Sequence, residues 1–291
     1  MLRVTIMSII KVGCLVSYDY EFLKISLPRF YNYVDEIYFA VDINRRTWSG
    51  DQLTISDDFW EWVKSYDTLN KIIIYEDEFY LPELTPMECD TRERTLLNQR
   101  MGDSDWYIQI DSDEYFLDFK AFVDRLSQIK TAVPTSIYCS VLTLFKRLDN
   151  GYLVIKDSNE TLSFATNNPV YELARNNESN VHIHWSDQVL HQSWARNPEE
   201  VLFKLNNWSH KNDFNVGSFY KLWDAMDEFN YYCVSNFHPL HPISWPGLIL
   251  WNGSIDKILD SGGDIEILGA RYTTSVKRKS LFSRLWREIK S

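Results

Sequence analysis

Cysteine is scarce and scattered in this chain: Cys14, Cys89, Cys139 and Cys233 lie far apart, with no CxxC pair and no zinc-like spacing. This excludes a cysteine metal cluster and a dense disulfide framework, and it suits a reducing cytoplasm. Basic charge is in deficit too, with 30 Lys and Arg against 41 Asp and Glu, so a general affinity for nucleic acid is not expected. No Gly-, Ser- or Pro-rich linker divides the chain and no internal repeat is found, which favours one continuous domain. The first apolar run, residues 4–10, is too short to span a membrane and lacks a small-residue cleavage site, so export by a signal peptide is not expected.

What is present is an ordinary globular balance, 45% hydrophobic and 24% charged residues, which argues against disorder. Strand-like apolar runs alternate with helical patterns through the first half, the signature of a parallel sheet covered by helices. Strands are expected at 4–10, 36–41, 71–75 and 106–110, with helices at 20–33, 55–69 and 91–101 between them. Beyond residue 113 the order changes. A short helix at 119–129 precedes a hairpin of 136–146 with 152–155 around Asp149-Asn150-Gly151, where Asn-Gly favours a tight turn. Further strand-like pieces fall at 171–174 and 181–185. A helix at 198–208 is marked by Asn197 as N-cap, Pro198 at the first helical position and Glu200 three residues after the cap. The expected fold is thus α/β, a mixed sheet flanked by helices with a C-terminal helical and irregular extension. It divides into a catalytic part at 1–210, an aromatic-rich accessory part at 211–275 and a basic amphipathic tail at 276–291.

The chemistry points to the run Asp111-Ser112-Asp113, which follows the apolar strand 106–110. Alternation would aim both carboxylates to one side, where they can hold a divalent cation. Ligands bind outside the carboxyl ends of strands in an open parallel sheet, so a nucleotide is expected there too. Mg²⁺ or Mn²⁺ suits oxygen ligands and bridges to a diphosphate, neutralising it as it departs. Taken alone, such a triplet is also what an ordinary acidic turn looks like.

In its context, Asp105-Trp106-Tyr107-Ile108-Gln109-Ile110-Asp111-Ser112-Asp113-Glu114-Tyr115 resembles the GT-A glycosyltransferases, specifically the bacterial family 2-like group, whose fourth strand ends in a DWIxxxDxDEF pattern. The Arg and Asn carried by the preceding helix in such proteins are matched by Arg92, Arg94 and Asn98. A second block, Leu190-His191-Gln192-Ser193-Trp194-Ala195-Arg196-Asn197-Pro198-Glu199-Glu200-Val201-Leu202-Phe203-Lys204, looks like the relatives' NHY…KSxEExxxK element, with Leu190 in place of the Asn. The resemblance implies that His191 completes a metal site with Asp111 and Asp113, and that Lys204 reaches the diphosphate. His210 is a rival third ligand. It also implies that Asp42, after the second strand, lies near the base or ribose, although a carboxylate capping a loop fits Asp42 equally well. The apolar-Pro turn that follows strand one in many relatives is replaced here by Ile10-Lys11-Val12-Gly13.

An inverting transferase needs a general base on the acceptor hydroxyl. Glu172 and Asp187 are the candidates, because they flank strands leading toward His191; a surface salt bridge is the ordinary alternative for each. Arg175 is a candidate for binding acceptor or phosphate. The proline-stiffened, ring-rich stretch 236–246 would wall an acceptor site or simply pack as an irregular cover. In the tail, Lys277, Arg278, Lys279, Arg284, Arg287 and Lys290 are interleaved with apolar residues near helical spacing, as in a helix that lies on an anionic bilayer. The expected activity is therefore transfer of a sugar from a nucleoside-diphosphate sugar to a glycan or lipid-linked acceptor, as in surface polysaccharide synthesis. It would take place in the cytoplasm or at the inner membrane face. Two other readings stay open. A sugar-phosphate nucleotidyltransferase should carry a Gly-rich, Lys/Arg-bearing loop after strand one, of which Lys11-Val12-Gly13 is a poor version. A non-catalytic carbohydrate-binding protein is suggested by the 11 Trp and 17 Tyr.

Overall fold

The structure is a computed structural model; it describes residues 8–260 and two short strands near the C-terminus. In chain order the elements are β1 (Ile10–Leu15), α1 (Leu23–Phe30), β2 (Glu36–Asp42), α2 (Asp57–Tyr66), β3 (Ile72–Asp77), α3 (Pro86–Met101), β4 (Trp106–Gln109), β5 (Glu114–Phe116) and α4 (Phe119–Leu126). There follow β6 (Thr135–Leu148), β7 (Gly151–Lys156), β8 (Thr161–Thr166), β9 (Val181–His191), α5 (Pro198–Asn207), α6 (Val216–Ala225), β10 (Gly247–Asn252), α7 (Ile255–Asp260), β11 (Glu266–Ile267) and β12 (Ala270–Arg271).

Ten strands form one mixed sheet flanked by helices, as expected. Its order is β10-β7-β6-β8-β4-β1-β2-β3, with β9 pairing β6 and β5 off that path. The half β3-β2-β1-β4 is parallel. The reversal of strand order at β1 opens a crevice beyond the carboxyl ends of β1 and β4, the place where such sheets bind ligands. The other half is mostly antiparallel, and β6 is long enough to pair β8 with its first part and β7 with its second.

Strand alternation sorts the core into layers. Val12, Cys14, Ile37, Phe39 and Val41 face Leu23, Leu27, Phe30 and Phe59 from α1 and α2. Tyr38 and Ala40 point to the opposite face, where Leu97 and Met101 of α3 cover them. In the second half α5 and α6 bury Val201, Leu205, Phe219 and Trp223 against Phe145, Leu153 and Ile155.

Several elements depart from the expectation. Strand one is Ile10–Leu15, so the Ile10-Lys11-Val12-Gly13 stretch expected as a turn is the strand itself. Lys11 is tolerated there because its ammonium reaches Glu36 at 2.9 Å and the Met101 carbonyl at 2.6 Å. Gly13 is required because a Cβ would sit 2.7 Å from Leu97 Cδ2 and 3.3 Å from Met101 Sδ. Residues 4–7 and the tail 276–291 lie outside the described residues. Helix α3 begins at Pro86, five residues before the apolar pattern suggested, under a capping box of Thr85 and Glu88. The stretch 171–174 is no strand: Ala174 turns the chain at φ 49°, and Leu173 makes only an isolated bridge to Asn176. The hairpin of β6 and β7 forms, yet neither Asp149 nor Asn150 has a positive φ, so it is not the Asn-Gly type of turn. Gly151 is needed for another reason. A Cβ on it would lie 1.9 Å from the Trp251 carbonyl oxygen of β10.

Gly13→Val should lower stability by about 1–3 kcal/mol through overpacking between β1 and α3, read as a fall in the urea midpoint. Leu97→Ala added to it should recover part of the loss, and strict additivity of the two would refute this account of Gly13.

Candidate active site

The crevice beyond β1 and β4 holds a cavity of about 370 Å³. Asp111, Ser112 and Asp113 reach it from a tight turn between β4 and β5, closed by the Glu114 N–H donating to the Asp111 carbonyl at 3.0 Å. The strand has already ended at Gln109, so it is this turn, and not strand alternation, that sets the two carboxylates side by side. Ser112 is pinned down by donating its hydroxyl to the Leu15 carbonyl at 3.1 Å.

Asp113 is only 2% exposed and lies between cations. Its Oδ2 accepts from Arg196 at 2.5 Å and from Lys204 at 2.9 Å, while Oδ1 faces His191 Nε2 at 3.6 Å. Burial alone would raise its pKa, but Lys204, His191 and Arg196 outweigh burial and hold it well below the usual carboxylate range. Local sequence explains the delivery. Register puts His191 opposite Glu114 at the end of β9, and the capping box of Asn197 and Glu200 starts α5 so that Lys204 points back at the turn. Arg196 also binds Asp19 at 3.0 Å, tying in the loop after β1.

Asp111 is served from α3. The Arg94 guanidinium lies 3.0 Å from its carboxylate while also binding Asp90 at 2.6 Å and Gln109 at 3.0 Å. Asp111 Oδ1 lies 3.0 Å from the same guanidinium without being hydrogen-bonded to it. The next carboxylate, Glu114, is gripped through both oxygens by Arg175, so the arginine expected to meet acceptor or phosphate serves to lock this turn. Among the described residues no three His, Cys, Asp or Glu side chains stand close enough to hold a metal ion as they are. The oxygens nearest to serving one are Asp111 Oδ1, ion-paired with Arg94, and Asp113 Oδ1, which faces His191. His210 lines the cavity but is bound to Asp213 at 2.6 Å.

Other expected residues lie elsewhere. Asp42 does not line the cavity. Its oxygens accept from the N–H groups of Asn44, Arg46, Phe79 and Tyr80 at 2.9–3.1 Å, so it clamps two loops. Asn98 is buried in α3 away from the cavity lining. Glu172 is exposed and accepts from Glu178 N–H at 3.2 Å, and Asp187 is ion-paired to Arg125 beside α4; neither candidate base reaches the cavity. The residues missed were Arg196, Asp19, Glu93, Glu160 and Asn207. The first stood inside the quoted second block and carried a signal; the others have none in sequence. The stretch 236–246 does wall the cavity, with His238, Leu240, His241 and Trp245.

No family model and no curated protein matches this chain. Among solved structures it is similar to the inositol-1-phosphate CTP transferase from T. maritima, at 11% identity and a TM-score of 0.36, over 70% of this chain and 98% of that one. It is similar also to a candidate glucose-1-phosphate thymidylyltransferase from Bacillus anthracis solved with sucrose, at 10% identity and a TM-score of 0.36, over 71% of this chain and 97% of that one. Both are transferases of the class named above as the alternative. A likeness this loose carries no argument about chemistry.

Asp113→Asn should leave Lys204 buried without its counter-charge and Arg196 with Asp19 alone, and lower stability by about 3–5 kcal/mol, measured by urea unfolding. Glu93, 7% exposed and accepting from Trp48 Nε1 at 2.6 Å, has its pKa pushed up to about 8, chiefly by burial. A raised carboxyl pKa favours folding while the group is protonated, so its contribution is whole below the ordinary value of 4.5 and is lost as pH rises through 8. Glu93→Gln should flatten the loss of Tm of the wild type between about pH 4.5 and 8. Equal slopes in the two proteins would contradict this.

Proposed function

We propose that this chain is a glycosyltransferase that binds a nucleoside-diphosphate sugar in the β1/β4 crevice and passes the sugar to a glycan or lipid-linked acceptor, as in surface polysaccharide synthesis. The observation that carries the proposal is the pair Asp111 and Asp113 at the topological switch point. Their second oxygens make only ion-pair contacts, Asp111 Oδ1 with Arg94 at 3.0 Å and Asp113 Oδ1 with His191 at 3.6 Å, and Lys204 and Arg196 stand beside them. The site's cations, Arg94, Arg175, Arg196 and Lys204, are each already matched by a carboxylate. A diphosphate would therefore bring negative charge with nothing to offset it, and a divalent cation fits that need. Mn²⁺ or Mg²⁺ would be held by Asp111, Asp113 and His191, and would supply Lewis-acid neutralisation of the departing diphosphate.

The chain's own groups do the rest. Lys204 and Arg196 fix the Asp113 carboxylate, so the leaving-group end of the cavity is set before a donor arrives. Asn207, which accepts from Thr47 at 2.5 Å and donates to Asp51 at 3.0 Å, ties α5 to the loop after β2 and shapes the cavity rim. Residues 1–210 would carry the donor site and residues 211–275 the acceptor wall. Among the described residues no helix is long and apolar enough to cross a membrane, and contact of the tail 276–291 with an anionic bilayer remains part of the proposal. The loop that follows β1, Val16-Ser17-Tyr18-Asp19, has no Gly, Lys or Arg, which favours glycosyl over nucleotidyl transfer.

A thermal-shift panel of UDP, GDP, CMP and dTDP should show one nucleotide raising the Tm only with Mn²⁺ or Mg²⁺, and Asp111→Asn should abolish the shift. The matching sugar nucleotide should slowly release its nucleoside diphosphate. Release of pyrophosphate from a nucleoside triphosphate and a sugar 1-phosphate would instead establish nucleotidyl transfer, and absence of any metal-dependent shift would dismiss both.

A further inference from the structure

The wall of the cavity facing away from β1 contains a carboxylate that the donor site does not use. Glu160 lies just before β8 and lines the cavity. Its Oε2 is held by three donors, Trp245 Nε1 at 2.8 Å, Thr143 Oγ at 3.2 Å and Ser158 Oγ at 3.3 Å. Its Oε1 accepts no hydrogen bond from the protein and has His238 Nε2 at 3.7 Å. The histidine's state follows from its other nitrogen. Nδ1 accepts from the N–H groups of Leu240 at 3.1 Å and His241 at 2.9 Å, so it carries no proton, and the proton of the neutral ring sits on Nε2, toward Glu160. His238 therefore cannot take a proton from a substrate, while Glu160 Oε1 keeps lone pairs for one.

The same wall is tied to the donor site through neighbouring strands. Thr143, which binds Glu160, is the cross-strand partner of His191, and His191 faces Asp113. One cavity thus has a leaving-group end at Asp111 and Asp113 and a carboxylate end at Glu160, with Trp245 and Trp208 rings beside it.

We propose that Glu160 is the general base of an inverting transfer and that Glu160, His238 and Trp245 form the subsite for the acceptor hydroxyl; this rests on the glycosyltransferase reading. In the step, the acceptor oxygen forms a bond to the anomeric carbon as the bond from that carbon to the diphosphate oxygen breaks. The nucleoside diphosphate leaves with the electron pair, and the hydroxyl proton passes to Glu160 Oε1. Trp245, Thr143 and Ser158 position the carboxylate through Oε2, and the Trp245 ring offers a face for the C–H groups of a saccharide.

The test uses the full chain with a panel of UDP- and GDP-sugars, water as acceptor and sodium azide as a nucleophile that needs no deprotonation. Glu160→Gln should bind the donor as the wild type does, by thermal shift, while release of nucleoside diphosphate to water falls by about 10²–10⁴-fold. In Glu160→Ala, where the missing side chain leaves room, azide should restore turnover and yield a glycosyl azide of inverted configuration. Wild-type rates in Glu160→Gln, or a loss in Glu160→Ala that azide does not restore although the donor still binds, would overturn the assignment of the base alone. A wild type that releases no nucleoside diphosphate from any donor would remove the glycosyltransferase reading, and this inference with it.

Discussion

The buried carboxylate of Asp113 is the point on which the rest of the site depends. Three segments far apart in the chain meet on it: the turn between β4 and β5 that bears it, the end of β9 with His191, and α5 with Lys204 in its last turn and Arg196 just before it. Two charges on one buried carboxylate make this a costly arrangement to desolvate, and such clusters are weak as sources of net stability. What they impose is geometry, since any displacement of α5 would strand a charge away from water. Asp19 extends the constraint to the loop after β1 through the same Arg196.

That constraint explains why the second half of the molecule is built as it is. To hold Lys204 against Asp113, α5 needs a fixed platform, and it has one in the apolar layer of Phe145, Trp194, Phe219 and Trp223, where the Trp223 indole donates to the carbonyls of Phe145 and Trp194. Large rings bury much area per residue. Trp194, Trp208, Trp223 and Trp245 pack in the layer that braces α5 and α6, and Trp194, Trp208 and Trp245 also meet the cavity. The parallel half supplies the complementary rigidity, with Arg94 of α3 holding Asp111 and the end of β4 together.

The limits of sequence reasoning show residue by residue. The capping signature at Asn197 marks the start of α5, and the same signature at Thr85-Pro86-Met87-Glu88 starts α3 ahead of its apolar pattern, so periodicity alone places that helix too late. Lys11 and Gly13 read as a break in an apolar run; a lysine satisfied near the start of a central strand and a glycine crowded by a crossing helix cannot be told from a turn without the neighbour in view. Glu172 and Asp187 are near His191 in sequence and still miss the cavity, because a strand carries its residues to opposite faces and advances about 3 Å per residue.

The sequence by itself determined the α/β class, the parallel half and the place of Asp111-Ser112-Asp113 just after the fourth strand, because periodicity and strand-end position are local properties of a chain. It also indicated that the block from His191 to Lys204 belongs with that turn, through a resemblance and not through physics. Only the tertiary structure decided what those residues do to each other: that Asp113 is matched by Arg196 and Lys204, that Arg175 is consumed by Glu114, and that Asp42 serves two loops. Charge pairing acts over a few ångströms and desolvation depends on what is packed around a group, and neither distance nor burial is written along the chain.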